Sequence, residues 1–135
     1  MSSFEQANLK WFARWYWIGW GWVALVWFLS LTSDPLKVDF GTTFNDKIGH
    51  TLAYGWLMFW FGNLYYGRQA RFWLLVLFIV MGAVLEGIQS FNPARQFGVD
   101  DMLANTVGVI IGYLLTVGKG RRIFYQIELR LGKTV

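Results

Sequence analysis

Four long apolar stretches constrain the fold of this chain more than any other feature of its sequence. They lie at about residues 15–31, 48–66, 72–89 and 102–118. A bilayer core about 30 Å thick requires roughly 20 mostly apolar residues from each helix that crosses it. No stretch shows the alternation of polar and apolar residues that is typical of a barrel strand. We therefore predict an all-α membrane protein with four transmembrane helices.

The composition supports this class and excludes several others. The chain has 135 residues, of which 56% are hydrophobic, 20% aromatic and 15% charged. Soluble domains average about 45–50% apolar and about 25% charged residues, and one of this size cannot bury so much apolar surface. Disordered and nucleic-acid-binding proteins are excluded as well, because the net charge of +4 sits on a hydrophobic chain. We predict one domain over residues 1–135, with no disulfide because there is no cysteine.

The distribution of basic residues predicts the orientation. Nine of the twelve Lys and Arg residues lie in the N-terminus, the middle loop and the C-terminal tail. The two remaining loops hold the other three, together with five aspartates. Cytoplasmic loops are enriched in Lys and Arg. We therefore predict a multi-pass protein of the cytoplasmic (inner) membrane with both termini in the cytoplasm.

The two ends of the chain have amphipathic patterns. Ser3 and Gln6 have the spacing of a helix capping box. Apolar residues follow at helical spacing near the N-terminus and again in the basic C-terminal tail; they are Phe4, Trp11, Phe12 and Trp15, and then Ile123, Phe124, Ile127 and Leu131. We predict a short amphipathic helix on the inner membrane surface at one or both ends.

Small residues in the spans indicate where helices approach each other. Gly108 and Gly112 form a G-x-x-x-G pair in the fourth span, and Gly55 and Gly62 lie in the second. Such pairs allow helix backbones to pack closely in lipid. They predict packing within the bundle or, as an alternative, a homodimer through Gly108 and Gly112.

Polar residues collect at the outer ends of the spans. Polar groups in a membrane are costly and are often functional. The cluster consists of Asp46, Lys47, His50, Tyr54, Glu86, Gln89, Asn92, Arg95, Asp100, Asp101 and Asn105. Asp46 and His50 are four residues apart and share a helix face, as do Asp101 and Asn105. We predict a polar chamber that opens outward.

These residue types match acid–base chemistry on an anionic molecule. His50 and Glu86 are candidates to exchange protons, with Asp101 as the third catalytic residue. The candidate substrate-binding residues, which would hold or orient the anion, are Lys47, Gln89, Arg95, Asn105, Asp46 and Tyr54. Structural alternatives stay open: a Glu86–Arg95 ion pair, an aspartate N-cap at Asp100 or Asp101, and amides that only join helices. No cofactor or metal is predicted, although His50, Glu86 and Asp101 form a weaker candidate set for a hard cation.

Two spaced motifs within this cluster resemble a known family. Asp46, Lys47 and His50, followed by Tyr54, resemble the D-K-x-x-H-x-x-x-Y element of the VanZ-like family. A second element, E-x-x-Q … R … D-x-x-A-N-x-x-G, is matched by Glu86, Gln89, Arg95, Asp101, Asn105 and Gly108. The family's register places its aspartate at Asp101, with Asp100 as an additional neighbour.

The resemblance implies an association with low-level teicoplanin resistance but does not identify an activity. Our first hypothesis is that the outward site binds or processes an amphipathic, anionic envelope molecule, either a membrane lipid or a lipid-linked precursor. A small transporter or flippase is the second hypothesis, and a non-catalytic scaffold for envelope enzymes is the third. Whether a reaction is catalysed stays open at this point.

Overall fold

The computed structural model describes residues 6–32, 45–93, 97–118 and 120–132, and within these ranges the chain is helical. The five helices are α1 (Phe12–Leu31), α2 (Asn45–Gly62), α3 (Arg68–Gln89), α4 (Val99–Val117) and α5 (Ile123–Gly132). The described residues contain no strand, apart from an isolated bridge between Gln6 and Tyr65. The predicted all-α class is therefore confirmed.

Among the described residues, two helices are long and apolar enough to cross a membrane, and these are α3 and α4. The prediction of four such helices is thus confirmed only in part. Helix α1 has 20 residues but is rich in Trp and Tyr, whose amphipathic rings favour the membrane interface over its core. Helix α2 has 18 residues and begins with the charged pair Asp46 and Lys47. Both helices nevertheless lie where the first two spans were predicted.

Helix α2 packs against α1, α3 and α4, and its contact with α4 is the most extensive in the bundle. Glycine residues allow α2 and α4 to approach each other closely. A Cβ atom on Gly108 would overlap the Thr51 carbonyl, and one on Gly112 would overlap the Gly55 carbonyl. The glycine pair therefore packs within the bundle, as predicted. Within one chain α2 covers both glycines, and the alternative of a homodimer through Gly108 and Gly112 stays a prediction.

The outer surfaces of α3 and α4 are apolar. The side chains that stand exposed there include Leu77, Val80, Val84, Leu103, Ile110 and Leu114. A continuous apolar surface of this size is unfavourable in water and marks contact with a partner or a lipid phase. The surface fits the apolar composition of the two helices.

The N-terminal segment differs from the prediction. Residues 6–11 precede α1 and are not helical. The Ala7 amide donates a hydrogen bond to the Leu64 carbonyl at 2.8 Å, which pairs the segment with the turn between α2 and α3. This backbone pairing replaces the predicted amphipathic helix over the described part of the segment. The predicted capping residue Ser3 lies outside the described residues, and so does Phe4.

The C-terminal amphipathic helix is confirmed as α5, but its apolar face packs on the bundle. Phe124 is buried between Trp15 and Trp60, with ring centroids 4.5 and 4.8 Å apart. The Glu128 carboxylate accepts hydrogen bonds from the backbone amides of Lys10 and Trp11 at 2.7 and 3.0 Å. It also accepts one from the Trp15 indole at 2.8 Å. Helix α5 is therefore held against the start of α1 by both packing and charge.

Candidate functional site

The first turns of α2 and α4 meet the last turns of α3, and His50 stands at this junction. Its Nδ1 atom lies 3.0 Å from the Asn105 side-chain oxygen. Because an amide oxygen only accepts hydrogen bonds, Nδ1 donates in this contact and carries the proton. In a neutral ring, the lone pair then belongs to Nε2. Asn105 is 2% exposed, so the orientation of His50 is set from the interior of the bundle.

Lys47 and Asp101 join the same two helices by an ion pair. The hydrogen bond to Asp101 raises the pKa of Lys47, so this side chain stays a cation. Neither aspartate at the start of α4 is the predicted N-cap, because Gly98 holds that position. Asp100 and Asp101 instead lie in the first turn, where a negative charge interacts favourably with the helix dipole.

Glu86 is the buried carboxylate of the site. Its side chain is 1% exposed, and its Oε2 atom has no hydrogen-bond partner among the described residues. The ionisable groups that act on it are those of Asp101, His50 and Lys47. A buried carboxylate oxygen without a partner carries a large desolvation cost. Such an atom is suited to accept or release a proton.

Tyr54 lies one helical turn below His50 on α2 and is 1% exposed. Its hydroxyl group is buried and, among the described residues, has no hydrogen-bond partner. Helix α3 approaches this region closely because residue 82 is glycine: a Cβ atom there would lie 3.1 Å from the Asn105 amide nitrogen and 3.3 Å from the Tyr54 ring. The sequence analysis missed Gly82. The available signal was its spacing, since it precedes Glu86 by one turn on the same helix face.

Asp46 completes a set of three residues that could hold a metal ion. Asp46, His50 and Asp101 each offer one ligand atom, and these atoms lie within 4.8 Å of one another. The carboxylate and imidazole donors suit several divalent cations. The set differs from the weaker candidate derived from the sequence, because Asp46 takes the place of Glu86. The predicted absence of a metal stays a prediction.

One predicted binding residue, Gln89, does not join this cluster. The Gln89 amide donates a hydrogen bond to the Ser30 carbonyl at 2.7 Å, so it joins α3 to the end of α1. Gln89 also borders a groove of about 380 Å³ at this end of the bundle, lined by Ser30, Leu31, Ile88, Gln89, Phe91 and Asn92. Arg95 lies outside the described residues, and so does its predicted pairing with Glu86.

The fold and this site define a class: a small helical protein with two helices apolar enough to cross a membrane and a buried polar site where three helix ends meet. Within that class, the chain belongs to the VanZ/LLP1 family, whose match covers residues 2–124. The family predicted from the spaced motifs is thereby confirmed. Searches of curated proteins and of solved structures found no match to this chain.

Proposed function

We propose that this protein crosses the cytoplasmic membrane with α1 to α4 and that its polar site faces outward. There it binds and processes, by acid–base chemistry, an amphipathic envelope molecule with an anionic headgroup. The VanZ family links this proposal to teicoplanin resistance. Both termini are cytoplasmic in this topology, in agreement with the distribution of Lys and Arg along the chain.

The observation that carries the proposal is the pairing of two complementary groups. Glu86 has a buried oxygen without a partner among the described residues, and Asn105 contacts Nδ1 of His50, so Nε2 is the ring nitrogen outside this contact. A carboxyl group and an imidazole in one site can donate and accept protons in turn. A structural role alone would favour satisfied hydrogen bonds at Glu86, since an unsatisfied buried oxygen lowers stability.

Lys47 supplies the positive charge for an anionic headgroup. Its ammonium group carries three donors, of which Asp101 accepts one. The side chain is 35% exposed, so an anion can approach it from the solvent side. The groove beside Gln89 lies at the same end of the bundle and offers space for an apolar chain. An amphipathic molecule that enters laterally from the membrane would match this combination of a cation and a neighbouring groove.

The polar groups at the opposite end argue against transport. Asn63 donates a hydrogen bond to the Phe59 carbonyl at 3.0 Å and accepts one from the Ile123 amide at 3.1 Å. Arg71 donates to the carbonyls of Gly62 and Tyr65. These hydrogen bonds hold helix ends far from His50 and Glu86, so the described residues favour separate polar ends over a continuous polar path.

The test replaces the two acid–base residues and measures teicoplanin susceptibility in a host whose own copy of the gene is deleted. We expect His50→Ala and Glu86→Gln to abolish the protection given by the wild type, because general acid–base groups contribute roughly 10²–10⁴-fold to a rate. Asp100→Asn is the matched control, since Asp100 is exposed beside Asp101. It should retain protection.

Membrane abundance and melting temperature are measured for each variant, so that a folding defect is recognised. Wild-type protection by both His50→Ala and Glu86→Gln would overturn the acid–base proposal. Loss of protection only in variants that also fail to fold would favour the scaffold hypothesis. Removal of divalent cations by a chelator, with the variants as reference, tests whether Asp46, His50 and Asp101 use a metal ion.

A further inference from the structure

We propose a second binding site, at the opposite end of the bundle, that takes a phosphate group. It is formed by the turn between α2 and α3, the first turn of α3 and the turn before α5, and its residues are Tyr66, Arg71, Arg121 and Arg122. Arg71 and Glu86 lie at opposite ends of α3, and their 15-residue separation places them roughly 22 Å apart along the axis at about 1.5 Å per residue. The two sites are therefore independent.

Arg71 is the buried centre of this site. Its side chain is 3% exposed, and its Nε atom donates hydrogen bonds to the carbonyls of Gly62 at 3.0 Å and Tyr65 at 2.9 Å. The Gly62 carbonyl ends α2 and the Tyr65 carbonyl lies in the following turn, and together they orient the guanidinium group. The Nη2 atom is also buried, yet it has no partner among the described residues. A buried charged donor without an acceptor is unfavourable, and a bound anion would supply that acceptor.

Tyr66 provides a second donor of the same kind. Its hydroxyl group is buried and has no partner among the described residues. Two guanidinium groups lie against its ring, with Arg122 at 5.2 Å and Arg71 at 6.0 Å from the ring centroid. Arg122 adopts a left-handed backbone conformation, with φ of 65°, which is uncommon for a residue other than glycine. In this conformation, the Arg122 guanidinium group is a third donor beside the Arg71 guanidinium group and the Tyr66 hydroxyl group.

The charge at this end of the bundle is unbalanced. Arg121 is adjacent to Arg122 and adds to the positive charge that acts on Tyr66. Glu128 lies on the adjoining helix, but its carboxylate is already engaged by Lys10, Trp11 and Trp15. The cluster therefore contains three cations and a hydroxyl donor.

A phosphate group matches this donor set. It carries several acceptor oxygens, and guanidinium groups bind it through paired hydrogen bonds. The phosphate of a lipid headgroup and free inorganic phosphate share this chemistry, so the test includes both. It uses the purified full chain in dodecyl maltoside, with melting temperature as the measurement.

The variants remove donors but leave the α2 cap intact. Tyr66→Phe keeps the ring against which the arginines lie and removes only the hydroxyl group. Arg122→Gln removes one cation, and Arg68→Gln is the control because Arg68 is an exposed arginine at the same end of α3. Without ligand, Tyr66→Phe should melt at or above the wild-type temperature, because its hydroxyl has no partner to lose.

The ligands are sodium phosphate, compared with sodium chloride at equal ionic strength, and short-chain phosphatidylglycerol, compared with short-chain diacylglycerol. We expect a phosphate-bearing ligand to raise the melting temperature of the wild type and of Arg68→Gln. Loss of one charge-assisted hydrogen bond should weaken binding by roughly tenfold in Tyr66→Phe and in Arg122→Gln.

A shift with both ligands supports a site for the phosphate group itself, and a shift with phosphatidylglycerol alone supports a lipid headgroup site. No shift with either ligand would overturn the proposal. Equal shifts in the wild type, Tyr66→Phe and Arg122→Gln would also overturn it, since they would indicate a general effect of charge or detergent.

Discussion

At the scale of single residues, Gly112 shows how a missing side chain determines the distance between two helices. A Cβ atom at this position would overlap the Gly55 carbonyl and lie 2.9 Å from the Met58 Cβ atom. In lipid, helices associate mainly by packing and hydrogen bonds, so close backbone approach is a major source of stability. The same approach brings His50 of α2 within hydrogen-bond distance of Asn105 of α4.

Gly112→Ala should therefore destabilise the bundle. We expect the free energy of unfolding to fall by about 1–3 kcal/mol, because the added methyl group forces two backbones apart. Unfolding in mixed micelles with increasing SDS measures this change. Gly21→Ala is the control, since a Cβ atom at Gly21 contacts nothing within 4 Å. It should leave stability unchanged or raise it by up to about 1 kcal/mol, the helix-propensity difference between Gly and Ala. A Gly112→Ala variant as stable as the wild type would contradict this packing.

The polar cluster illustrates a limit of sequence reasoning at the same scale. The spacing of Asp46 and His50 predicted a shared face, and their ligand atoms do lie within 4.8 Å of each other. The partner of His50, however, is the amide of Asn105 on another helix. Gln89 shared the predicted face of Glu86 but bonds to the backbone of α1. Spacing along one helix identifies neighbours on that helix, whereas contacts between helices depend on their rotation.

At the scale of elements, Glu128 holds α5 against the start of α1. The sequence predicts an amphipathic helix, and such helices often lie on lipid. Here the carboxylate accepts hydrogen bonds from two backbone amides at the start of α1, where the helix dipole favours a negative charge. Phe124 is buried on the same side of α5. Helix α5 therefore closes the bundle end that contains the first residues of α1.

Replacing Glu128 tests this role. Glu128→Gln should lower stability by about 1 kcal/mol, because the amide retains one acceptor oxygen but loses the charge that strengthens these hydrogen bonds. The measurement is the melting temperature in detergent, combined with the rate of proteolytic cleavage within residues 120–132. Gln126→Ala, an exposed position on α5, is the control and should match the wild type. If Glu128→Gln left both quantities unchanged, α5 would not depend on this contact.

At the scale of the whole molecule, the central question is the position of the helices relative to the membrane. Helices α3 and α4 meet the length and hydropathy criteria for a span. Helix α2 is buried among the others, so its mean hydropathy need not match that of a helix exposed to lipid. Its charged first turn lies at the polar site, next to the first turn of α4. The proposed topology, with four spans and both termini inside, is compatible with these features.

The absence of cysteine in the chain allows a direct test of topology. We expect Asp100→Cys to react with a membrane-impermeant maleimide in intact spheroplasts, because it would lie outside. Gly132→Cys should react only after permeabilisation. Gly21→Cys is the control for a lipid-facing position in α1 and should react only after solubilisation in SDS. The reverse pattern for Asp100→Cys and Gly132→Cys would overturn the proposed orientation and place the polar site on the cytoplasmic side.

Much of the helical organisation could be predicted from the sequence, because long apolar stretches leave the backbone few ways to satisfy its hydrogen bonds in lipid. The predicted stretch 72–89 lies within α3, and 102–118 nearly coincides with α4. The conformation of residues 6–11 could not be predicted, since the amphipathic pattern fits a helix equally well. The hydrogen bond between Ala7 and Leu64 determines this conformation, and it joins residues that are far apart in the chain.

The sequence alone determined the helical class, the approximate helix positions, the family and the concentration of polar residues at one end, because each depends on local composition or spacing. The tertiary structure decided which of those residues meet. It placed Asn105 beside His50, left a Glu86 oxygen without a partner among the described residues and buried Arg71 at the other end. The physical reason is that helix rotation and separation follow from packing at glycines such as Gly82, Gly108 and Gly112, whose effect depends on the surface of the neighbouring helix.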